Sequence, residues 1–173
     1  MEQLSEHTYI YKGYGITIYP TDDARNPREY HETDGVTMTC RHGRYTLGDG
    51  DVPIPRDRDI IQLPLYLYDH SGLTMSTSPF ACPWDSGQVG VIWVKKSSAR
   101  RMFNWTRLSP RRVERVYDML RRQVTDYDAY LSGEQYDVTI EDEDGQWVDE
   151  IFSVTYSDAK FFAVDVIHSM TGV

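Results

Sequence analysis

The 173-residue chain has little cysteine, only Cys40 and Cys82. Two cysteines cannot build the dense framework that staples small secreted domains, so both are expected as thiols. Long apolar runs are missing too. None approaches the ~20 residues of a membrane span, so no membrane partner is expected. The start, MEQLSEHTY, lacks the basic and apolar stretches of a secretory signal, which points to a cytoplasmic location. No P-loop, dinucleotide-binding glycine fingerprint, kinase signature or H-E-x-x-H occurs. Nucleotide-driven or NAD-driven chemistry is therefore not expected, and no cofactor is called for.

What remains is an ordinary globular composition, 40% hydrophobic with a mean hydropathy of -0.55. A chain of this length favours one domain and buries roughly 70% of its unfolded surface. Thirteen tyrosines suit half-buried strands and interfaces. The net charge of -9 is unevenly spread. Residues 95–122 hold ten Lys/Arg against two acidic groups, or +8, while residues 123–173 hold one lysine against twelve carboxylates, or -11. Segregation of this kind concerns partners rather than fold.

Aromatic and β-branched residues predict two short strands over 7–19, broken at Lys12-Gly13. Residues 20–35 and 41–59 are rich in Pro, Gly and Asp and are expected as loops, with a strand at 36–40 between them. A strand follows at 60–68, where Pro64 demands an edge or a later start. Residues 89–94 are apolar on both faces, as a central strand would be. Ser109-Pro110 opens a helix to about Leu131, and Gly133 can close it. Residues 135–156 predict a hairpin around Asp144-Gly145, and Ser157 is expected to cap a last helix over about 158–170. The expected class is α+β. An antiparallel sheet is packed by two helices (about 110–131 and 158–170), in the order strands–helix–hairpin–helix. The whole chain is expected to form a single domain, with 1–59 as a strand pair plus long loops and 60–173 as the core.

Four clusters carry candidate chemistry. Asp69, His70, Cys82 and Asp85 could ligate a metal, with Cys40 and His42 as a second pair, although their spacing matches no zinc motif. The competing role is structural: Asp69 and Ser71 hold a turn and Cys82 packs. Ser86 or Cys82 could act as a nucleophile with His70 and Asp69, but Asp-Ser-Gly is also an ordinary turn and no G-x-S-x-G elbow is present. Lys95, Lys96, Arg100, Arg101, Arg107, Arg111, Arg112 and Arg115 interleave with Phe103 and Trp105. Cations suit phosphates and aromatics suit bases, whereas an acidic protein partner and a solvated face paired with the acidic third are the alternatives. Glu141, Asp142, Glu143 and Asp144 form an acidic hairpin tip that could bind a divalent cation, imitate nucleic-acid phosphates or simply be solvated, and the EF-hand pattern is not met.

The box YLYDHSGLTMSTSPFACPWDSGQVGVIWV resembles one found in uncharacterised small proteins of bacteriophages, archaeal viruses and integrative elements. The Ser-Pro helix, DYDAYLSG and the acidic VTIEDEDG hairpin extend the resemblance from about Ile61 to the C-terminus. It implies a viral or mobile-element setting in the host cytoplasm, and no catalytic residue carries over with it. In that setting the expected role is stoichiometric inhibition of a host defence or nucleic-acid-processing complex, anti-CRISPR-like, by a protein that is not an enzyme. The expected partner is a host protein or ribonucleoprotein complex, with nucleic acid a candidate through residues 95–122. One alternative is a metal-dependent hydrolase of nucleotides or phosphodiesters using Asp69, His70, Asp85 and Ser86. Another is a nucleic-acid-binding accessory protein. Oligomeric state is left open.

Overall fold

The structure is a computed structural model that describes residues 1–3, 7–30, 35–55 and 58–172. Parts of the two expected loops, 31–34 and 56–57, lie outside the described residues. In chain order the elements begin with β1 (Glu2–Gln3), β2 (Thr8–Tyr11), β3 (Tyr14–Pro20), α1 (Pro27–Tyr30), β4 (Val36–Cys40), β5 (Ile60–Asp69) and β6 (Leu73–Ser76). They continue with β7 (Ser86–Lys95), α2 (Lys96–Met102), α3 (Pro110–Ser132), β8 (Tyr136–Glu141), β9 (Trp147–Val154) and α4 (Tyr156–Thr171). The class is α+β with antiparallel sheets. The chain divides into two compact units, residues 1–25 with 133–173, and residues 26–132. These divisions fall away from the 59/60 boundary anticipated within the chain.

The first unit is a five-stranded sheet, β1-β2-β3-β8-β9. Ile16 pairs with Ile140 and Ile18 with Val138. Alternation therefore puts all four on one face, where they are buried against Ala159, Ala163 and Ile167 of α4. The four-residue spacing of those helix residues forms one stripe, and the alanines let the helix approach closely. Lys12 (φ 52) and Gly13 (φ 86) make the left-handed two-residue turn between β2 and β3. Several tyrosines close this core through their hydroxyls: Tyr9 meets the Tyr156 hydroxyl at 3.2 Å and Tyr11 meets His168 Nε2 at 2.7 Å. The helix starts two residues earlier than expected. Thr155, not Ser157, is its cap, because the Thr155 hydroxyl accepts the Asp158 amide.

The second unit is a four-stranded sheet, β4-β7-β5-β6. Val116, Leu120, Val124 and Tyr127 of α3 pack onto Val36, Met38, Leu65, Leu67, Met75, Ile92 and Val94. β7 is central, as its two-faced apolar pattern predicts. Gly90 lies opposite Cys40 in the β4–β7 register, and a Cβ there would run into the Thr39 carbonyl. Among the described residues β6 pairs with β5 only from Tyr66 onward, so at Pro64 the strand is an edge on that side, where proline is tolerated. Both sheet edges are covered. Asp128 of α3 accepts the Met75 amide of β6 at 2.6 Å, and the 47–52 loop bonds β4 at Met38, Thr39 and Cys40. The single sheet packed by two helices thus resolves into two sheets, each with one long helix. β1, β6 and α2 were not anticipated, and α1 forms a short helix inside residues 20–35, which were expected as a loop.

A buried guanidinium ties this unit together. The Arg28 side chain is 4% exposed and grips Asp49 in a two-pronged pair, at 3.0 and 2.7 Å. It also donates to Gln123 of α3 at 2.9 Å and to the Val36 carbonyl of β4 at 3.1 Å. Asp49 in turn accepts the Met38 amide. Arg28→Ala removes the two-pronged pair and the bonds to Gln123 and Val36, while Asp49 keeps the Met38 amide and access to water. It is expected to lower stability by about 1–2 kcal/mol, as read by urea unfolding. Gly90→Ala is expected to cost about 1–3 kcal/mol by overpacking. A loss below about 0.5 kcal/mol in either variant would refute its assigned role.

Candidate functional site

β5 and β7 deliver the sequence box to one end of the second sheet. The Asp69 amide donates to the Asp85 carbonyl at 2.8 Å, which fixes the two strand ends together. Ser71 takes a left-handed conformation (φ 60) in the Asp-His-Ser-Gly turn. Beside it lies an open cleft of about 410 Å³ lined by Arg41, Arg44, Asp69, Trp84, Asp85 and Gln88, among others.

The side chains here sort into separate pairs. His70 Nδ1 lies 3.3 Å from Asp85 Oδ2, and the Cys82 thiol lies 3.6 Å from the same oxygen. Asp69 instead takes Arg44 at 3.5 Å and the Tyr45 hydroxyl at 3.3 Å. The Ser86 hydroxyl donates to the Cys82 carbonyl. Among the described residues no hydrogen bond joins Ser86 to His70, so a Ser86–His70–Asp69 relay is not assembled. Nor is any group of three or more His, Cys, Asp or Glu side chains arranged to hold a metal ion among them. Cys40 and His42 do not converge: Cys40 is buried in the core, whereas His42 stacks on Tyr45 at 5.1 Å and accepts the Arg44 amide at Nδ1.

The basic block lies at the opposite end of β7, ten residues or about 30 Å away. It spans α2, the following loop and the first turns of α3. Phe103 and Trp105 stack at 4.4 Å with planes 12° apart. Arg112 and Arg115 hold their guanidiniums 5.2 and 5.5 Å from the Trp105 ring centre. Lys95, Arg100, Arg101, Arg107 and Arg111 are exposed. Among the described residues of their own unit, none of these five has a carboxylate partner. Lys96 reaches the Arg58 carbonyl and Arg112 the Arg107 carbonyl. Further along, Arg121 pairs with Glu114 at 3.1 Å and Asp118 at 2.8 Å on its own helix.

Charge follows the units. Residues 26–132 carry fifteen basic and thirteen acidic groups, or +2, while the remainder carries three and fourteen, or -11. Glu141, Asp142, Glu143 and Asp144 stand at the β8–β9 turn, where Asp142 accepts the Asp144 and Gln146 amides. Trp147, paired with Glu141 across the hairpin, is 66% exposed. Among the described residues the most exposed large apolar side chain is Trp84, at 92%. Neither tryptophan was singled out as a site residue, and only exposure, which sequence does not report, distinguishes them.

Both cysteines are free. Burial, with Asp49 nearby, pushes the Cys40 thiol up from 9.0 to about 12. One thiol per chain, Cys82, is therefore expected to react with a thiol reagent in the native state and two after unfolding. The raised Cys40 value makes its stabilising effect complete below pH 9. It is lost as pH climbs toward 12, because the unfolded thiol ionises first. Relative to Cys40→Ala, the wild type should lose up to about 1.4 kcal/mol per pH unit in that window. Equal slopes in the two proteins would refute the burial argument. No family model, curated protein or solved structure matches this chain.

Proposed function

We propose that the protein is a non-enzymatic binding protein of a virus or mobile element that engages a nucleic-acid-handling complex of its host. On this reading it meets nucleic acid through the α2–α3 surface. The observation that carries the reading is the set of five exposed cations around the Phe103–Trp105 stack, none with a carboxylate partner among the described residues of their unit. Arginines at the start of α3 oppose its macrodipole, so helix stability does not account for them. Phosphates would supply the missing counter-charge, and the interleaved aromatics would add contact with sugars or bases. The acidic hairpin tip with Trp147 offers a second surface, suited to a basic protein partner. Action is stoichiometric, consistent with inhibition of a host defence complex.

Five phosphate contacts give a log–log dependence of binding on salt with a slope of about -4. Anisotropy titrations of labelled nucleic acid against the full chain should show that slope. Glu replacements at Arg100, Arg101, Arg107 and Arg111 should flatten it by about 0.7–0.9 per lost contact. A chain that binds no nucleic acid at low salt, or charge-reversed variants with an unchanged slope, would contradict the proposal.

The hydrolase alternative keeps one supporting observation, the 3.3 Å approach of His70 to Asp85 beside an open cleft. It requires chelator-sensitive turnover that disappears in Asp69→Ala, His70→Ala and Asp85→Ala. Stoichiometric binding that persists in those three variants, without turnover in the wild type, favours the binding protein.

A further inference from the structure

The first unit has one helix for a two-faced sheet. α4 covers the side that carries Ile16, Ile18, Val138 and Ile140. Strand alternation turns the intervening residues to the other side, away from α4. The register sets Thr17, Thr139 and Glu150 in one row across that side and Gly15, Glu141 and Trp147 in the next. Phe152 follows Glu150 on β9 at the two-residue spacing of one strand face. Trp147 is 66% exposed and Phe152 44%, and neither joins a core.

Charge on this side has one sign. Glu141 and Glu150 of the face, and Asp142, Glu143 and Asp144 of the turn at its end, form no ion pair among the described residues of their unit. Glu150 is held in place by the Tyr19 hydroxyl, which donates to it at 2.8 Å. The three cationic side chains of the unit lean on rings instead. Lys160 Nζ lies 3.9 Å from the Tyr9 ring centre, the Arg25 guanidinium 4.6 Å from that of Phe152, and Lys12 Nζ 6.0 Å from that of Tyr11. Arg25 on Phe152 thus shows a guanidinium already seated on this face. Trp147 carries no cation among the described residues, although it stands directly across the hairpin from Glu141.

Resting on the reading above, in which the acidic hairpin meets a protein, we infer that this sheet face docks an arginine-rich segment of that partner, with Trp147 and Glu141 receiving a guanidinium between them. A unit with a net charge of -11 repels nucleic acid and draws a basic segment to itself. Proteins that handle nucleic acid carry such segments where they grip phosphates. Indole is the ring that holds a cation best. Arginine fits the pair better than lysine does. A flat guanidinium lies on the ring and still forks to a carboxylate, whereas an ammonium is a compact, strongly hydrated charge.

The test titrates the full chain into labelled octa-arginine and octa-lysine peptides, read by anisotropy. The variants are Trp147→Ala, Trp147→Phe, Glu141→Gln and Asp165→Asn, the last removing the same charge from the exposed surface of α4. Octa-arginine should bind more tightly than octa-lysine. Trp147→Ala should weaken octa-arginine binding about 2- to 30-fold, and Trp147→Phe by less. Glu141→Gln should weaken it more than Asp165→Asn does. Equal losses in the two charge variants, with no effect of Trp147→Ala, would reveal attraction to net charge alone and overturn the docking face. Self-association of the chain that Trp147→Ala abolishes also overturns it, since the face then belongs to a second copy. Nucleic-acid binding, measured on the same variants, should match wild type. If it does and the peptide results fail, only this inference falls. If wild type binds no nucleic acid but docks octa-arginine as described, the α2–α3 reading falls and the docking face stands.

Discussion

The close approach of β7 to β4 at Gly90 is the contact on which the larger unit depends. With no Cβ at that position, the two backbones pack tightly beside Thr39. The Thr39 hydroxyl is then placed to accept the Trp93 indole at 3.1 Å and to donate to the Val52 carbonyl at 3.0 Å. That chain of bonds draws the 47–52 loop along β4, where Asp49 meets Arg28. The guanidinium then ties α1, β4 and α3 into one body. A strand fixed so firmly on both sides is a rigid rod, and the candidate surfaces sit on or near it. The cleft lies at its start and the basic surface at its end.

Charge in this unit is not arranged for stability. Asp128, near the end of α3, opposes the helix dipole, but its carboxylate caps an edge amide of β6 and so has a structural use. At the start of α3, Arg112 and Arg115 lean on the Trp105 ring and Arg112 also bonds the Arg107 carbonyl, contacts that offset their opposition to the dipole, whereas Arg111 is exposed. The aromatic residues divide in the same way. The tyrosines of the first unit close its core through hydroxyl contacts, whereas Tyr66 and Tyr68 of the second remain outside both cores.

Periodicity made much of this legible. The three- and four-residue spacing from Val113 to Leu131, with Pro110 before it and Gly133 after, announced α3 nearly residue for residue. The apolar run 89–94 announced a central strand, and Asp144-Gly145 announced the hairpin turn. Local signals could not say which strands pair. The β8–β9 hairpin joins β3 across more than a hundred residues, and the only hint is that Ile16 and Ile18 alternate in step with Val138 and Ile140. β6 was hidden because it is four residues long with only Met75 buried. α2 was hidden because it buries Ala99 alone and has no capping side chain. At the cleft, the flanking apolar strands pointed to two loop ends held together, and the Asp69 amide does bond the Asp85 carbonyl. Which pairs form was a matter of side-chain direction, and so the bond from Ser86 back to Cys82 was not foreseen.

The central claim is that nucleic acid lies against the α2–α3 surface. The most direct measurement is ultraviolet crosslinking of the full chain to a single strand, with the attached peptides identified by mass spectrometry. The stacked Phe103 and Trp105 are placed to crosslink, and the peptide carrying them should be recovered with a nucleotide adduct that disappears as salt is raised. Adducts absent altogether, or confined to the first unit, would contradict the claim.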